Sequence, residues 1–391
     1  MVILKKITLR ILRDNNCEVE FGLPDYEDIF LQMIFKIGLN GDIENLIPIA
    51  HFGDGYVSMF VMAVIQAIAE SNTEDKCLFL FEEPESFLHE NHQEYFYKMV
   101  LCNLAEKGHQ VIYTTHSHKM VDIFDTKSII RIEFDETSKQ TVKKYNNVGE
   151  FSPSLELSTE LSLNPITIQN YNSFIKSVEP NLNKILFSRK VILVEGPNDL
   201  MAYHFAIEQK VKVLKNDAKY AKSYLNFLNI ALLVHHGKLT ALLLIKLCKH
   251  FGLDYFVIND WDFESDYVNH LSSFWSLNEL QTNELYLKEG QENRSAEKKS
   301  MITTNWKLID SAGIEKIHFN IPKLEKTLGY NFNDKDSLKI WQLLNSMNNF
   351  PLAFFPKKLL TFIELNDEAN ERSLLNQQEE EDNTEVDELP F

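Results

Sequence analysis

The sequence has no apolar run approaching the ~18 residues that a membrane-spanning helix needs, so no transmembrane helix is expected. Its first residues, MVILKKITLR, lack the basic flank, apolar core and small-residue cleavage site of a secretory leader, which predicts a cytoplasmic protein. Cysteine is scarce. Cys17, Cys77, Cys102 and Cys248 stand far apart with no CxxC pair, which argues against a zinc ribbon or a disulfide framework. No internal repeat is visible, and no GxxxxGK[ST] stretch occurs, so an ordinary phosphate-binding loop is missing. Positive charge is also short. The 39 Lys and Arg face 57 Asp and Glu, for a net charge of −18, an awkward balance for a chain that must grip phosphates.

That excess is unevenly placed. Between Asp367 and Glu388 the chain carries ten acidic residues against one arginine, about half of the whole imbalance. The stretch QQEEEDNTEVDEL has the composition of a disordered acidic tail, either a solubilising end or a mimic of DNA for a basic groove of the same protein. The remaining body is still acidic, as a cluster of metal-binding carboxylates would make it.

The 391 residues are 44% apolar and 25% charged, enough for two or three domains with ordinary cores. The first fifty residues alternate in short runs and read as strands or hairpins. From Tyr56 to Glu70 a broad apolar face predicts a largely buried helix. CLFLFEEPES then reads as a buried parallel strand, NHQEYFYKMVLCNLAEKG as an amphipathic helix ending at Gly108, and QVIYTTHSH as another buried strand, which together make a βαβ unit. Residues 151 to about 185, punctuated by Pro153, Pro165 and Pro180, read as a helical linker. A second α/β series starts at KVILVEGPNDLMAYHFAIE and continues through IALLVHHGK, TALLLIKLCKHFG and YFVINDWD, with an exposed insertion over residues 280–300.

Two constellations carry chemistry. In the first, an apolar strand delivers Glu82 and Glu83 to its end, where one acid can face Mg²⁺ and the next an attacking water. The following strand ends at His116, suited to sensing a γ-phosphate, and Gly53-Asp54-Gly55 precedes a helix whose N–H groups could meet phosphate. FEEPESFLHE, TTHSH and FGDG resemble the Walker B and D-loop, the switch histidine and the signature segment of ABC-type ATPases, in the version used by the OLD (overcoming lysogenization defect) family. The resemblance implies Glu83 as catalytic glutamate, Glu82 as metal-side acid and His116 as switch. With no phosphate loop, ATP binding is expected only with a complementing Walker A half. Asp54 in place of the usual signature serine, and Glu90 in place of a frequent proline, depart from the pattern.

In the second, one apolar strand ends in Glu195, turns through Gly-Pro and reaches Asp199, and a later strand ends in Asp260 and Asp262. Alternate residues at a strand end point to one side, so the DxD pair can face one ion. Three acids at the ends of apolar strands are costly to bury without a cation, and hard oxygen ligands suit Mg²⁺ or Mn²⁺. Asp199 has a plainer reading as a helix cap. The EG-x-x-D and DxD pair resembles the Toprim fold of topoisomerases, primases and OLD nucleases. In that family the site extends further, which implies Glu325 as part of a second ion site, a late lysine (Lys357 or Lys358) on the phosphate, and Gly237-Lys238 as the glycine-lysine segment.

The expected fold is therefore α/β: a partial ABC-ATPase-like domain over residues 1–150, a helical linker over 151–185, a Toprim domain with a central parallel sheet over 186–365, and the acidic tail over 366–391. The likeness implies a Toprim endonuclease or nickase that uses Mg²⁺ or Mn²⁺. Glu195, Asp260, Asp262, Glu325 and Lys357 would be catalytic, and the four acids with Asp199 would bind metal. It further implies DNA as partner, a homo-oligomer, a helicase or separate ATPase subunit, regulation by the ATPase-like module without ATPase activity of its own, and a role in antiphage defence of the Gabija type. The competing expectation is a non-catalytic sensor or scaffold that depends on a partner ATPase or helicase.

Overall fold

The computed structural model describes residues 16–21, 33–38, 44–48, 51–71, 76–86, 88–135, 138–143, 164–264, 266, 268–283, 286–287, 295–330 and 336–365. The acidic tail and residues 284–285 and 288–294 of the 280–300 insertion lie outside these residues, as does the 151–163 part of the linker. The chain divides into two compact units, Met1–Asp122 and Ile123–Phe391. Among the described residues no helix is long and apolar enough to cross a membrane.

In the first unit, β1 (Asn16–Phe21) pairs antiparallel with β2 (Met33–Gly38), which pairs antiparallel with β3 (Ile47–Pro48). Helix α1 (Asp54–Ser71) starts where the Gly53 carbonyl accepts from the Tyr56 and Val57 N–H groups. Strand β4 (Leu78–Glu82) leads to α2 (Glu90–Phe96), which runs on through a π-helical stretch (Tyr97–Cys102) into a last turn (Asn103–Glu106). Gly108, at φ +85°, ends the helix, as its position in the sequence suggests. The chain returns as β5 (Gln110–Thr114), parallel to β4, completing the βαβ unit. Phe79, Phe81, Val111 and Tyr113 pack with Met62, Phe96, Leu101 and Leu104 from the two helices. The opposite face differs from the expectation of fully buried strands. Leu80 and Ile112 are 68% and 61% exposed, because the helices cover this two-stranded sheet on one side and strand side chains alternate.

The second unit opens with a hairpin, β6 (Ile132–Asp135) and β7 (Gln140–Lys143). Arg131 fastens it to the carbonyls of Leu186 and Ser188, at 3.0 and 3.1 Å. Helix α3 (Pro165–Val178) follows. Next come β8 (Lys190–Val194), α4 (Pro197–Lys215), α5 (Ala218–Phe227), β9 (Ile230–Val234), α6 (Lys238–His250) and β10 (Asp254–Asp260). After two short turns come α7 (Ser295–Ala312), β11 (Ile317–Asn320), α8 (Leu324–Thr327), α9 (Ser337–Ser346) and α10 (Lys357–Phe362).

The sheet order is β11-β10-β8-β9, and every pairing is parallel. Helices on both faces explain why these strands are continuous apolar runs: Val191 to Val194 and Tyr255 to Ile258 are all buried. Ile192, Val194, Phe256 and Ile258 face a core with Tyr203, Ile207, Tyr224, Ile340, Leu344 and Leu359. On the other face the Tyr255 hydroxyl donates to the Ala312 carbonyl of α7.

The chain steps from β8 to β9 on one side, then returns across β8 to lay β10 on the other. The sheet therefore has a switch point between β8 and β10. Open parallel sheets bind ligands beyond the strand ends at such a point, because the diverging connections leave a crevice.

Candidate metal centre at the switch point

Glu195 follows β8, and Asp260 ends β10, so both acids stand at this crevice. Glu195 Oε2 accepts from the Asp260 N–H at 2.9 Å and from Asn259 Nδ2 at 3.2 Å, which locks its carboxylate across the two strand ends. Asp199, three residues on, reaches back to accept from the Gly196 N–H at 3.1 Å, so it does cap α4 as its plainer reading held. Asp260 Oδ1 accepts from the Leu324 N–H at 2.9 Å, at the start of α8, with Glu325 next in the chain. Each of these three acids thus spends one oxygen on a backbone donor.

A buried polar layer supports them. The single Tyr203 O–H is shared between two acceptors, Asn320 Oδ1 at 2.9 Å and the Phe354 carbonyl at 3.0 Å, and Asn320 Nδ2 lies 3.5 Å from Asp199 Oδ1. His235, wholly buried at the exit of β9, receives the Gly237 N–H on Nδ1 at 3.2 Å. Burial lowers its pKa to about 4 and keeps the ring neutral.

Charge crowding dominates the electrostatics. Burial raises Asp260 to about 7, with Glu195, Asp262 and Glu325 adding like charge. Burial likewise lifts Asp199 well above the ordinary carboxylate range, helped by Asp260 and Glu195. Among the described residues no Lys or Arg lies within salt-bridge distance of Glu195, Asp199 or Asp260. Asp262, at φ +70°, is different: Lys238 Nζ is 2.6 Å from its Oδ2, and Lys323 Nζ is 3.6 Å from its Oδ1.

The structure therefore gathers Glu195, Asp199, Asp260, Asp262 and Glu325 into one neighbourhood. Among the described residues no three of these side chains stand as a finished metal cage. The donor chemistry still fits a divalent ion. The acids are hard oxygen ligands, Glu195 and Asp260 each keep one oxygen clear of the hydrogen bonds just described, and the mutual repulsion of the group is what a bound cation would relieve.

The late lysines are placed elsewhere. Lys358 Nζ donates to the carbonyls of Ile314, at 3.0 Å, and Ile317, where β11 begins, while the acids occupy the opposite ends of the strands. Lys357, its neighbour, is exposed. Sequence reasoning noted Lys238 without assigning it a task and missed Asn305, Asn320 and Tyr203 altogether. A buried asparagine or tyrosine inside a helix or strand carries no local signal of the partner it meets.

In the first unit, Glu82 ends β4 and is exposed, and Glu83, at φ +41°, follows. The Glu83 N–H donates to the Thr114 carbonyl at 3.1 Å, and its Oε1 lies 3.0 Å from His116 Nε2. The proposed catalytic acid and switch histidine thus meet at one sheet edge. Glu85, overlooked in the sequence, is buried. It accepts from the Thr115 hydroxyl and, at 3.0 Å, from the His116 N–H, so it fastens the switch loop to the EEPE turn. Its signal was the third acid in that motif.

Residues 5–121 match the family model for an AAA ATPase domain, and residues 186–262 match that for an overcoming lysogenization defect protein-like Toprim domain. The chain is 25% identical over 350 residues to an OLD nuclease of Thermus scotoductus, covering 89% of this chain and 57% of that one. It is 26% identical to the Old nuclease of Escherichia phage P2, covering 65% and 40%. With endonuclease GajA of Bacillus cereus it shares 22% identity, covering 47% and 30%. The chain thus spans about half the length, or less, of the curated relatives it matches. An ATPase-domain match followed along the chain by an OLD-like Toprim match, together with these relatives, makes the chain similar to OLD nucleases.

Proposed function

We propose that the second unit is a divalent-metal-dependent DNA endonuclease or nickase. The observation that carries this reading is the convergence of Glu195, Asp199, Asp260 and Glu325 at the switch point, with like charge and burial raising Asp260 and Asp199. Mg²⁺ or Mn²⁺ held there would supply Lewis-acid stabilisation of the attacking and leaving oxygens of a phosphodiester. Glu195 and Asp260 are the first ligands, since the Asp260 N–H holds the Glu195 carboxylate across the ends of β8 and β10. Asp199 and Glu325 flank them. The neutral His235 ring backs Glu195 without adding charge. The names of the relatives encourage a nuclease, and within that reading DNA is the substrate and a homo-oligomer the working form.

The first unit, with Glu82, Glu83 and His116 at one edge, regulates cleavage when a Walker A half completes the nucleotide site. A role in antiphage defence, alongside a helicase or separate ATPase subunit, fits the family company. The reading of a non-catalytic scaffold is favoured by one observation, the unfinished state of the metal cage. Plasmid cleavage with Mg²⁺ or Mn²⁺ decides between them. Wild-type cleavage abolished by both Asp260→Ala and Glu195→Ala supports the nuclease. No wild-type cleavage across metals and nucleotides refutes it for this chain.

A further inference from the structure

Among the described residues Lys238 makes the shortest cation contact with the acid cluster, and it is built in. It opens α6, directly after Gly237 at φ +123°, and its side chain is 12% exposed. Its ammonium lies 2.6 Å from Asp262 Oδ2 and 2.8 Å from Asn305 Oδ1. Asn305, on α7, is fully buried, and its Nδ2 donates to the Trp261 carbonyl at 2.8 Å. One amide therefore grips both the lysine and the peptide that leads into Asp262. Surface lysines are not held this way; a planar amide with both ends engaged fixes position, not merely charge.

The arrangement has a consequence for any ion that uses Asp262. Its Oδ2 carries the Lys238 ammonium at 2.6 Å and its Oδ1 faces Lys323 Nζ at 3.6 Å, so a divalent cation that takes Oδ2 competes with Lys238 for it. Once displaced, Lys238 remains beside the site, because Asn305 still accepts from it. An ammonium freed from its carboxylate and held next to a metal site is placed for a non-bridging oxygen of a phosphodiester.

We propose that Lys238, positioned by Asn305, is the working lysine of this site, and that Asp262 passes from Lys238 to the divalent ion when one binds. The phosphate contact rests on the nuclease reading; the exchange at Asp262 does not.

Two measurements on the full chain separate them. Tb³⁺ binding can be read by luminescence sensitised through Trp261, which sits between the two acids of the DxD pair. Removing a competing charged hydrogen bond raises affinity about tenfold, so Lys238→Met binds Tb³⁺ about tenfold tighter than wild type, while Lys238→Arg stays near wild type. In the Asp262→Asn background the Lys238→Met gain disappears. Wild-type or weaker Tb³⁺ binding by Lys238→Met overturns the exchange. Should that variant not fold, Asn305→Leu, which removes the grip but keeps the charge, gives a smaller shift of the same sign, and no shift overturns it. In plasmid cleavage, Lys238→Met falls by about 100-fold despite its tighter metal binding, and Lys238→Arg recovers part of the loss. Wild-type cleavage by Lys238→Met, or a deep loss in Lys357→Met alone, overturns the phosphate role. If wild type cleaves nothing, the nuclease reading and the phosphate contact fall together, and the Tb³⁺ result still decides the exchange.

Discussion

Replacing Asp260 by asparagine should make the metal-free protein more stable and, at the same time, nearly indifferent to metal. The wild-type carboxyl is raised from 3.8 to about 7 by burial and by the charges of Glu195, Asp262 and Glu325. A raised native pKa means the folded state holds a proton that the unfolded chain has already lost. Its contribution to stability is complete below about pH 4 and is lost as pH rises through about 7. At 1.36 kcal/mol per unit the loss amounts to about 4 kcal/mol. The substituted amide keeps an oxygen for the Leu324 N–H and carries no charge, so the loss should vanish. For a unit of this size, about 4 kcal/mol corresponds to roughly 10 °C in Tm. Thermal unfolding in EDTA at pH 5 and pH 8 measures it. Wild type should melt lower at pH 8 than the variant, and the gap should shrink to less than half at pH 5, closing only near pH 4. Mn²⁺ at 100 times its Kd should add about 2.7 kcal/mol to wild type at pH 8 and little to the variant. An Asp260→Asn protein no more stable than wild type at pH 8, or equally stabilised by Mn²⁺, would refute the idea of uncompensated charge at this site.

Other consequences follow from the supporting groups. Asn320→Leu leaves the Tyr203 hydroxyl only the Phe354 carbonyl and takes the side-chain amide from Asp199 Oδ1; a loss of about 1 kcal/mol in urea unfolding is expected, with wild-type stability counting against that polar layer. Glu85→Leu removes the acceptor for the Thr115 hydroxyl and the His116 N–H, so hydrogen exchange at His116 should quicken at least about tenfold, the equivalent of ~1.4 kcal/mol. Mg²⁺-ATP added to this chain alone should shift its melting by less than about 1 °C, since ligand stabilisation requires binding and no phosphate loop is present; a shift of several degrees would show a nucleotide site assembled by other means.

What could be read from the sequence depended on whether the signal was local. Apolar runs ending in Glu195 and in Asp260-Trp261-Asp262 announce parallel strands with acids at their exits, and the 2.9 Å contact between Glu195 and the Asp260 N–H follows from pairing β10 to β8. The EEPE turn and TTHSH were equally plain, because β4 and β5 are adjacent and parallel, which carries Glu83 to His116. The burial of Leu80 and Ile112 was misjudged for a non-local reason: an apolar strand reads the same whether helices cover one face or both.

The lysine is the most instructive case. Chain order says that α10 follows β11 and α9, but not at which end of the sheet it begins. Lys190 Nζ donates to the Phe362 carbonyl at the entry of β8, and Lys358 lies on the carbonyl of Ile317 at the entry of β11, so the helix runs along the wrong edge for the acids. Lys238 needs no such long-range placement. A residue that opens the helix after a parallel strand stands at the exit edge by construction, as Asp199 does after β8, and the exit edge is where the acids are. Topology alone therefore ranks Lys238 above any lysine of α10. The 2.6 Å contact with Asp262 is the particular form this advantage takes.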